Sequence, residues 1–365
     1  MRDPHLPAPW RGLASIALVL LAVGMPLAMI VGRKHAAAGR VLAWPAFIWM
    51  GLMFLLSTTL AATDLLRLVA ALVGRAGGLP SNPERRTAIA RLVASAVTAL
   101  SGGLAIAAFR SARGPIAVHR VTVELARLPA AHDGFRLVQL TDIHVGSTIG
   151  RAFVEDIVRR ANGLEPDLIA LTGDLVDGSV ADLRDAVAPL GALRARHGVF
   201  FVSGNHEYFS GADPWFEELT RLGIRVLRNE RVAIGDGDDG FDLAGVDDHS
   251  AERFGGVAPA VALERALGGR DARREVVLLA HQPRSFLDAE PFAVGLQLSG
   301  HTHGGQMWPF GVFVRMSQPF VAGLHRRRDA QIYVSRGTGY WGPPMRLGAP
   351  AEITELVLRR APPST

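Results

Sequence analysis

The chain has 365 residues, no cysteine, 49% hydrophobic residues and a formal net charge of +5. The missing cysteine excludes a disulfide framework, a thiolate metal site and a cysteine nucleophile, and a mean hydropathy of +0.21 points to membrane segments. Residues 1–113 carry 12 Lys/Arg against 3 Asp/Glu and residues 114–365 carry 27 against 31, so the balances are +9 and −4. The basic excess therefore belongs to the hydrophobic N-terminal part, where it reads as lipid-headgroup contact and topology signal, and no specific nucleic-acid partner is expected.

Three uncharged hydrophobic runs come first, Gly12–Val31, Val41–Ala62 and Leu92–Phe109. Each has about the 18–20 residues a helix needs to cross a hydrocarbon core of ~30 Å. Trp10, Trp44 and Trp49 stand at or near the ends of the first two, where aromatic belts sit. The run Leu65–Val73 holds Arg67 and either extends the second helix or lies along the interface. These features predict a transmembrane anchor over 1–113 and one catalytic domain over 114–365. Topology is poorly marked. Arg2, Arg11, Arg67, Arg75, Arg85, Arg86 and Arg91 flank one side; Arg33, Lys34, Arg40, Arg110, Arg113 and Arg120 flank the other. The pair Arg85-Arg86 precedes a run ending in Ala105, Ala107 and Ala108, which has the form of an internal twin-arginine export signal; two ordinary loop arginines are the alternative. The expectation is a multi-pass protein of the cytoplasmic membrane with its catalytic domain facing outward.

From Gly114 the texture changes. Val121, Val123 and Leu125 alternate with polar residues, as in a half-buried strand. Five apolar runs then end in polar turns. Phe135–Leu140 leads into Asp142 and His144, Leu168–Leu171 into Gly173-Asp174, and Gly198–Val202 into Asn205-His206. Val276–Ala280 leads into His281, and Val294–Leu298 into His301 and His303. Helical spacing fills Ala152–Asn162 and Val180–Ala195. Strand, polar loop, helix, repeated, predicts an α/β domain whose loops gather at the carboxyl ends of its strands.

Five of the twelve histidines follow buried-type strands, with two aspartates and an asparagine. Burying that much polarity without partners costs roughly 2–7 kcal/mol per group, and a metal centre removes the difficulty by being the partner. Asp142 and His144 are two apart, as are His301 and His303; on extended backbone such pairs point to one side and can share an ion. Mixed oxygen and imidazole donors without sulfur suit Mn, Fe, Zn or Co.

The blocks Asp142-Ile-His144, Gly173-Asp174, Gly204-Asn205-His206-Glu207, His281 and Gly300-His301-Thr-His303 resemble those of the calcineurin-like metallophosphoesterases, in the family's order, over about residues 118–358. The Asn-His-Glu form, Gly300–Gln306 and the apolar helices resemble the transmembrane metallophosphoesterase subgroup. That subgroup is similar to enzymes that cleave UDP-2,3-diacylglucosamine and to an exported phosphodiesterase group. The resemblance implies a two-sheet β-sandwich flanked by helices and two divalent metal ions. Asp142, His144 and His303 would hold the first ion, Asn205, His281 and His301 the second, and Asp174 would bridge them. His206 would donate a hydrogen bond or proton to the phosphate or leaving-group oxygen. Such a pair of cations can clamp an in-line displacement at phosphorus.

Asp177 and Glu207 are expected to orient ligands, with plain loop acids as the alternative. Asp248, in Asp247-Asp248-His249, either faces substrate or caps a turn. Arg336, Tyr340, Trp341 and Arg346 either contact a phosphate, sugar or lipid or belong to a packed loop. Arg326-Arg327-Arg328 reads as a solvated loop, with phosphate steering as the alternative, and His197, His249 and His325 as structural or exposed. The expected activity is hydrolysis of a phosphodiester or pyrophosphate of a membrane-associated substrate such as a lipid-linked, UDP-diacylglucosamine-like one. The alternatives are a di-metal hydrolase of a non-phosphate substrate and an inactive membrane metal-binding scaffold.

Overall fold

The computed structural model describes residues 8–34, 36–73 and 83–362. By packing the chain divides into a helical unit, which ends at Arg113 and takes in Gly342–Leu347, and a second unit over Gly114–Trp341 and from Gly348 onward.

The helical unit comprises α1 (Ala8–Lys34), α2 (Ala36–Val73) and α3 (Pro83–Arg113). Each carries a stretch long and apolar enough to cross a membrane: Pro9–Leu27, Val41–Leu72 and Thr87–Arg113. The run Leu65–Val73 continues α2 as helix. Ala43, Ala46, Ala105 and Ala108 are buried along with Leu55 and Val97, and the small ones let backbones approach where lipid offers no hydrophobic drive. Buried Ser101 of α3 donates to Thr59 of α2 at 3.2 Å. Arg85 and Arg86 stand in the first turn of α3. Arg2 and Arg75 lie outside the described residues, as do the side chains of Arg33, Lys34, Arg40 and Arg86.

The second unit is built on two six-stranded sheets. The strands are β1 (Ala117–Leu125), β2 (Phe135–Leu140), β3 (Leu168–Thr172), β4 (Val199–Val202), β5 (Arg225–Val226), β6 (Glu230–Ile234), β7 (Phe241–Gly245), β8 (Val276–Leu279), β9 (Leu296–Ser299), β10 (Gly323–Arg327), β11 (Ala330–Val334) and β12 (Glu352–Arg360). Their orders are β1-β12-β2-β3-β4-β5 and β10-β11-β9-β8-β7-β6. The inner pairs β2/β3, β3/β4, β7/β8 and β8/β9 are parallel. That is why these strands read as unbroken apolar runs, since both faces are covered. Leu137, Leu168, Ala170 and Phe200 of one sheet share a core with Leu243, Val277, Leu279, Leu296 and Leu298 of the other. The helices α4 (Arg151–Asn162), α5 (Val180–Val187), α6 (Asn205–Ser210), α7 (Ala212–Arg221), α8 (Pro259–Leu267), α9 (Ser285–Asp288) and α10 (Gly311–Ser317) complete the unit. The expected two-sheet architecture with flanking helices is the one observed.

Two local expectations change. The helix expected over Val180–Ala195 stops at Val187 and continues as a tighter turn over Ala188–Ala192, because Pro189 has no amide to donate to the preceding turn. Arg326 and Arg327 belong to edge strand β10, paired with Gln331 and Ala330 of β11. Arg328 makes the turn between the strands at φ 53° and, like Arg327, pairs with Glu290.

Candidate metal centre

The carboxyl ends of β2, β3, β4, β8 and β9 deliver five loops to one place. The loops are strapped together by backbone bonds: Asp142 N donates to Gly173 O at 3.0 Å and His144 N to Asp174 O at 3.1 Å. His301 N donates to both carboxylate oxygens of Asp142, at 2.9 and 3.1 Å. Gly300 is a point of close approach, since a Cβ there would lie 2.1 Å from Asp142 Oδ2.

Asp142 and His144, and His301 and His303, do not converge by lying on extended backbone. All four sit at positive φ, 53°, 53°, 68° and 50°, and Asp174 does too, at 53°. This corrects the geometric reason given from the sequence. Left-handed turns aim the side chains inward, at a conformational cost that Asp and His bear better than most residues.

Two donor sets result. Asp142, His144 and His303 are all buried, with one donor atom from each within 4.8 Å of the others, and Asp174, His281 and His301 form a second such set. In the first, His144 Nε2 is 3.0 Å from His303 Nε2. In the second, His281 Nε2 is 3.1 Å from Asp174 Oδ2. That same Oδ2 lies 3.8 Å from His144 Nε2, so one carboxylate oxygen faces both sets. Asp174 Oδ1 is engaged elsewhere, accepting from His206 N at 2.9 Å.

The chemistry of the donors fits cations. Asp177 Oδ1 can only accept, so the Nδ1 of His144, 3.2 Å away, is its donor and Nε2 is left with its lone pair toward the site. His281 Nδ1 donates to Thr172 O at 2.7 Å with the same consequence. Buried His281 Nε2 and Asn205 Oδ1 make no hydrogen bond among the described residues, the state of a ligand atom whose partner is an ion. The field agrees. Burial opposes the charge on His281, but Asp174 and Asp142 outweigh it and hold the imidazole well above its ordinary range. Burial alone would raise Asp174, yet His281 and His206 hold it well below the usual carboxylate range. Burial, then His281, push His301 down to about 4.

His206 lies on the open side of this cluster, at the start of α6. Its Nδ1 donates to Asp177 Oδ1 at 2.5 Å, and with Asp177 and His144 it forms a third convergent set. Burial lowers its pKa, but the Asp174 charge and then the Asp177 bond outweigh that and raise it to about 9. Glu207, wholly buried, accepts from Gly204 N at 2.6 Å, Leu175 N at 2.7 Å and Asp174 N at 3.0 Å, and so ties the second loop to the third. Burial, then Asp174, raise it to about 7.

The other candidate residues have partners of their own. Asp248 is buried, accepting from Ser250 N and from Gln282 Nε2. Arg336 pairs with Glu352 at 2.7 Å beneath the Gly304 turn. Tyr340 is buried and donates to Thr148 O. Arg346 is buried in the helical unit, where its amide donates to Ala108 O. His249 shares a hydrogen bond with Ser285 and His325 one with Ala322 O, while His197 packs on Phe135. Three exposed aromatics at the mouth follow from no motif: the rings of Trp341 and Phe209 stand 5.9 and 5.6 Å from His206, and Phe254 stands 6.1 Å from Phe209. Of these, only Trp341 drew attention in the sequence.

The profile of the calcineurin-like phosphoesterases matches residues 135–305. A transmembrane protein with metallophosphoesterase domain from Bos taurus is 42% identical over 81% of this chain and 68% of its own length. An uncharacterized metallophosphoesterase from Helicobacter pylori is 41% identical over 61% of this chain and 59% of its own. Another from Aquifex aeolicus is 34% identical over 66% of this chain and 91% of its own.

Proposed function

The chain belongs to the calcineurin-like phosphoesterases, and we propose that it hydrolyses phosphodiesters or pyrophosphates with two divalent metal ions. Asp142, His144 and His303 would hold one ion, Asn205, His281 and His301 the other, and Asp174 would serve both. The observation that carries this reading is the single Asp174 oxygen facing both donor sets, 3.1 Å from His281 Nε2 and 3.8 Å from His144 Nε2. Imidazole, carboxylate and amide donors suit Mn, Fe, Zn or Co. Bound there, the ions would supply Lewis-acid polarisation of the phosphoryl oxygens and activation of water.

The chain's own groups do the rest. Asp177 fixes the His206 ring through Nδ1, which leaves the Nε2 proton free to pass to the leaving oxygen. At about 9, the pKa of His206 keeps that proton in place at neutral pH. Glu207 and the strap from His301 to Asp142 fix the loops before substrate arrives. The mouth beside His206 is apolar, with Phe209, Phe254 and Trp341 exposed. That rim and the three apolar helices support a membrane-associated substrate such as a diacylated sugar nucleotide of the UDP-2,3-diacylglucosamine kind. The catalytic unit faces outward from the cytoplasmic membrane, on the strength of Arg85-Arg86 ahead of the third span.

Metal content and bis-p-nitrophenyl phosphate hydrolysis, measured on the full chain in detergent after Mn²⁺ loading, test the reading. About two ions per chain and turnover are expected; Asp174→Ala loses both. His206→Ala keeps its metal and loses turnover by ~10²–10⁴. A folded chain that binds no metal overturns the assignment.

A further inference from the structure

The segment after the Gly304-Gly305 turn carries an apolar surface that the catalytic unit does not use for its own core. Trp308, Phe310, Val312, Phe313 and Met316 are exposed, Trp308 at 71% and Met316 at 83%. They fall within nine residues, and α10 buries none of its side chains. The surface is held in place from behind. Met307 is buried and bridged to Gly348. Buried Gln318 accepts from Arg284 N at 3.2 Å and donates to Gln282 Oε1 at 3.3 Å. Exposed apolar side chains gathered so densely, on a fixed scaffold, mark an interaction site.

Two observations choose the occupant. The same chain carries three helices long and apolar enough to span a bilayer. The patch is also joined through the chain to the segment packed on them: Met307 is bridged to Gly348, and the residue before Gly348 ends the stretch Gly342–Leu347 that belongs to the helical unit. Within that unit Met345 packs on Gly51 of α2, inside the second span. The composition agrees. Across residues 307–320 the only charge is the exposed Arg315, set among Trp, Phe, Val and Met, the mixture that settles at a headgroup boundary.

We propose that Trp308–Met316 is an interfacial anchor, seated in the headgroup–acyl boundary of the bilayer that the chain itself spans, with Arg315 at the lipid phosphates. Its seat bears on the reaction. Gln306, at the foot of the patch, donates to Trp341 O at 2.8 Å and accepts from Trp341 N at 3.0 Å. The Trp341 ring stands beside His206, so the depth of the anchor fixes the height of the entrance above the lipid. The anchor does not depend on the metal assignment and stands if that assignment fails.

The absence of cysteine gives a direct test on the full chain. Met316→Cys and Val312→Cys, each carrying one nitroxide, are reconstituted in vesicles of phosphatidylcholine and phosphatidylglycerol. Glu217→Cys, on an exposed turn of α7, serves as the water-facing reference. Both patch labels are expected to gain accessibility to oxygen and lose accessibility to the water-soluble relaxer NiEDDA relative to the reference. Equal NiEDDA accessibility at all three places the patch in water and overturns the proposal. Dipolar broadening that disappears on dilution with unlabelled chain assigns the patch to a second copy and overturns it as well.

Discussion

Replacing Asp177 by Asn tests the proton-donor assignment through its titration. The carboxylate accepts from His206 Nδ1 at 2.5 Å. A hydrogen bond to a charged acceptor is worth ~1.5–3 kcal/mol, and each pH unit of pKa corresponds to about 1.4 kcal/mol. Removing the charge therefore brings His206 from about 9 down by roughly one to two pH units. It does not reach the ordinary imidazole value, because Asp174, the larger cause of the upward shift, remains. The sign is fixed: a donor with a raised pKa is active below that pKa and is lost as pH rises through it. Bound cations counter part of the Asp174 field, so the readout is the displacement: the alkaline limb of kcat should move down by roughly one to two pH units from the native chain to Asp177→Asn, with little change well below it. Asp177 also orients His144, so metal affinity falls too, by ~10–100-fold, and the profile must be taken at saturating metal. An alkaline limb that stays at its native position in the saturated variant refutes the role given to the Asp177–His206 pair.

Three further outcomes are expected. Gly300→Ala puts a methyl 2.1 Å from Asp142 Oδ2, so metal content measured after dialysis should drop sharply while the sheet signal in far-ultraviolet circular dichroism persists. Glu207→Gln replaces an acceptor by a donor facing backbone N–H groups of Gly204, Asp174 and Leu175, which costs ~1–3 kcal/mol per unsatisfied group and should shift the urea midpoint down. Trp341→Ala with Phe209→Ala removes two walls of the mouth, so KM for long-chain alkyl phosphodiesters should rise while KM for a methyl ester stays level; equal change for both would remove the apolar-substrate argument.

The positions of the site residues were legible because each follows an apolar run, and buried parallel strands advertise themselves in that way. Asp142, Asp174 and His281 could be placed at strand ends without knowing which strands were neighbours. The order of the sheets could not be read, since β12, from the far end of the chain, lies between β1 and β2, and long-range pairing leaves no local mark. The helix break at Pro189 was in principle readable; helical spacing on its far side hid it. The aromatic mouth was not readable, because exposure of Phe209 and Phe254 depends on what fails to cover them.

The left-handed turns carry the last consequence. Asp142, His144, Asp174, His301 and His303 all hold φ between 50° and 68°. At on the order of 1 kcal/mol each, that strain is comparable with much of a domain's net stability of about 5–15 kcal/mol. The straps from His144 N to Asp174 O and from His301 N to Asp142 offset part of it. Bound ions would offset the rest by joining carboxylates and imidazoles that otherwise repel or lack partners. Chelation should therefore loosen the loops at 141–146, 172–177 and 299–305 before it touches β3 or β9. Hydrogen exchange on the full chain, with metal and after EDTA, should show faster amide exchange in those loops and unchanged protection in the strands. Identical exchange in both states would mean that the chain alone bears the strain, and the loops would then owe their geometry to packing.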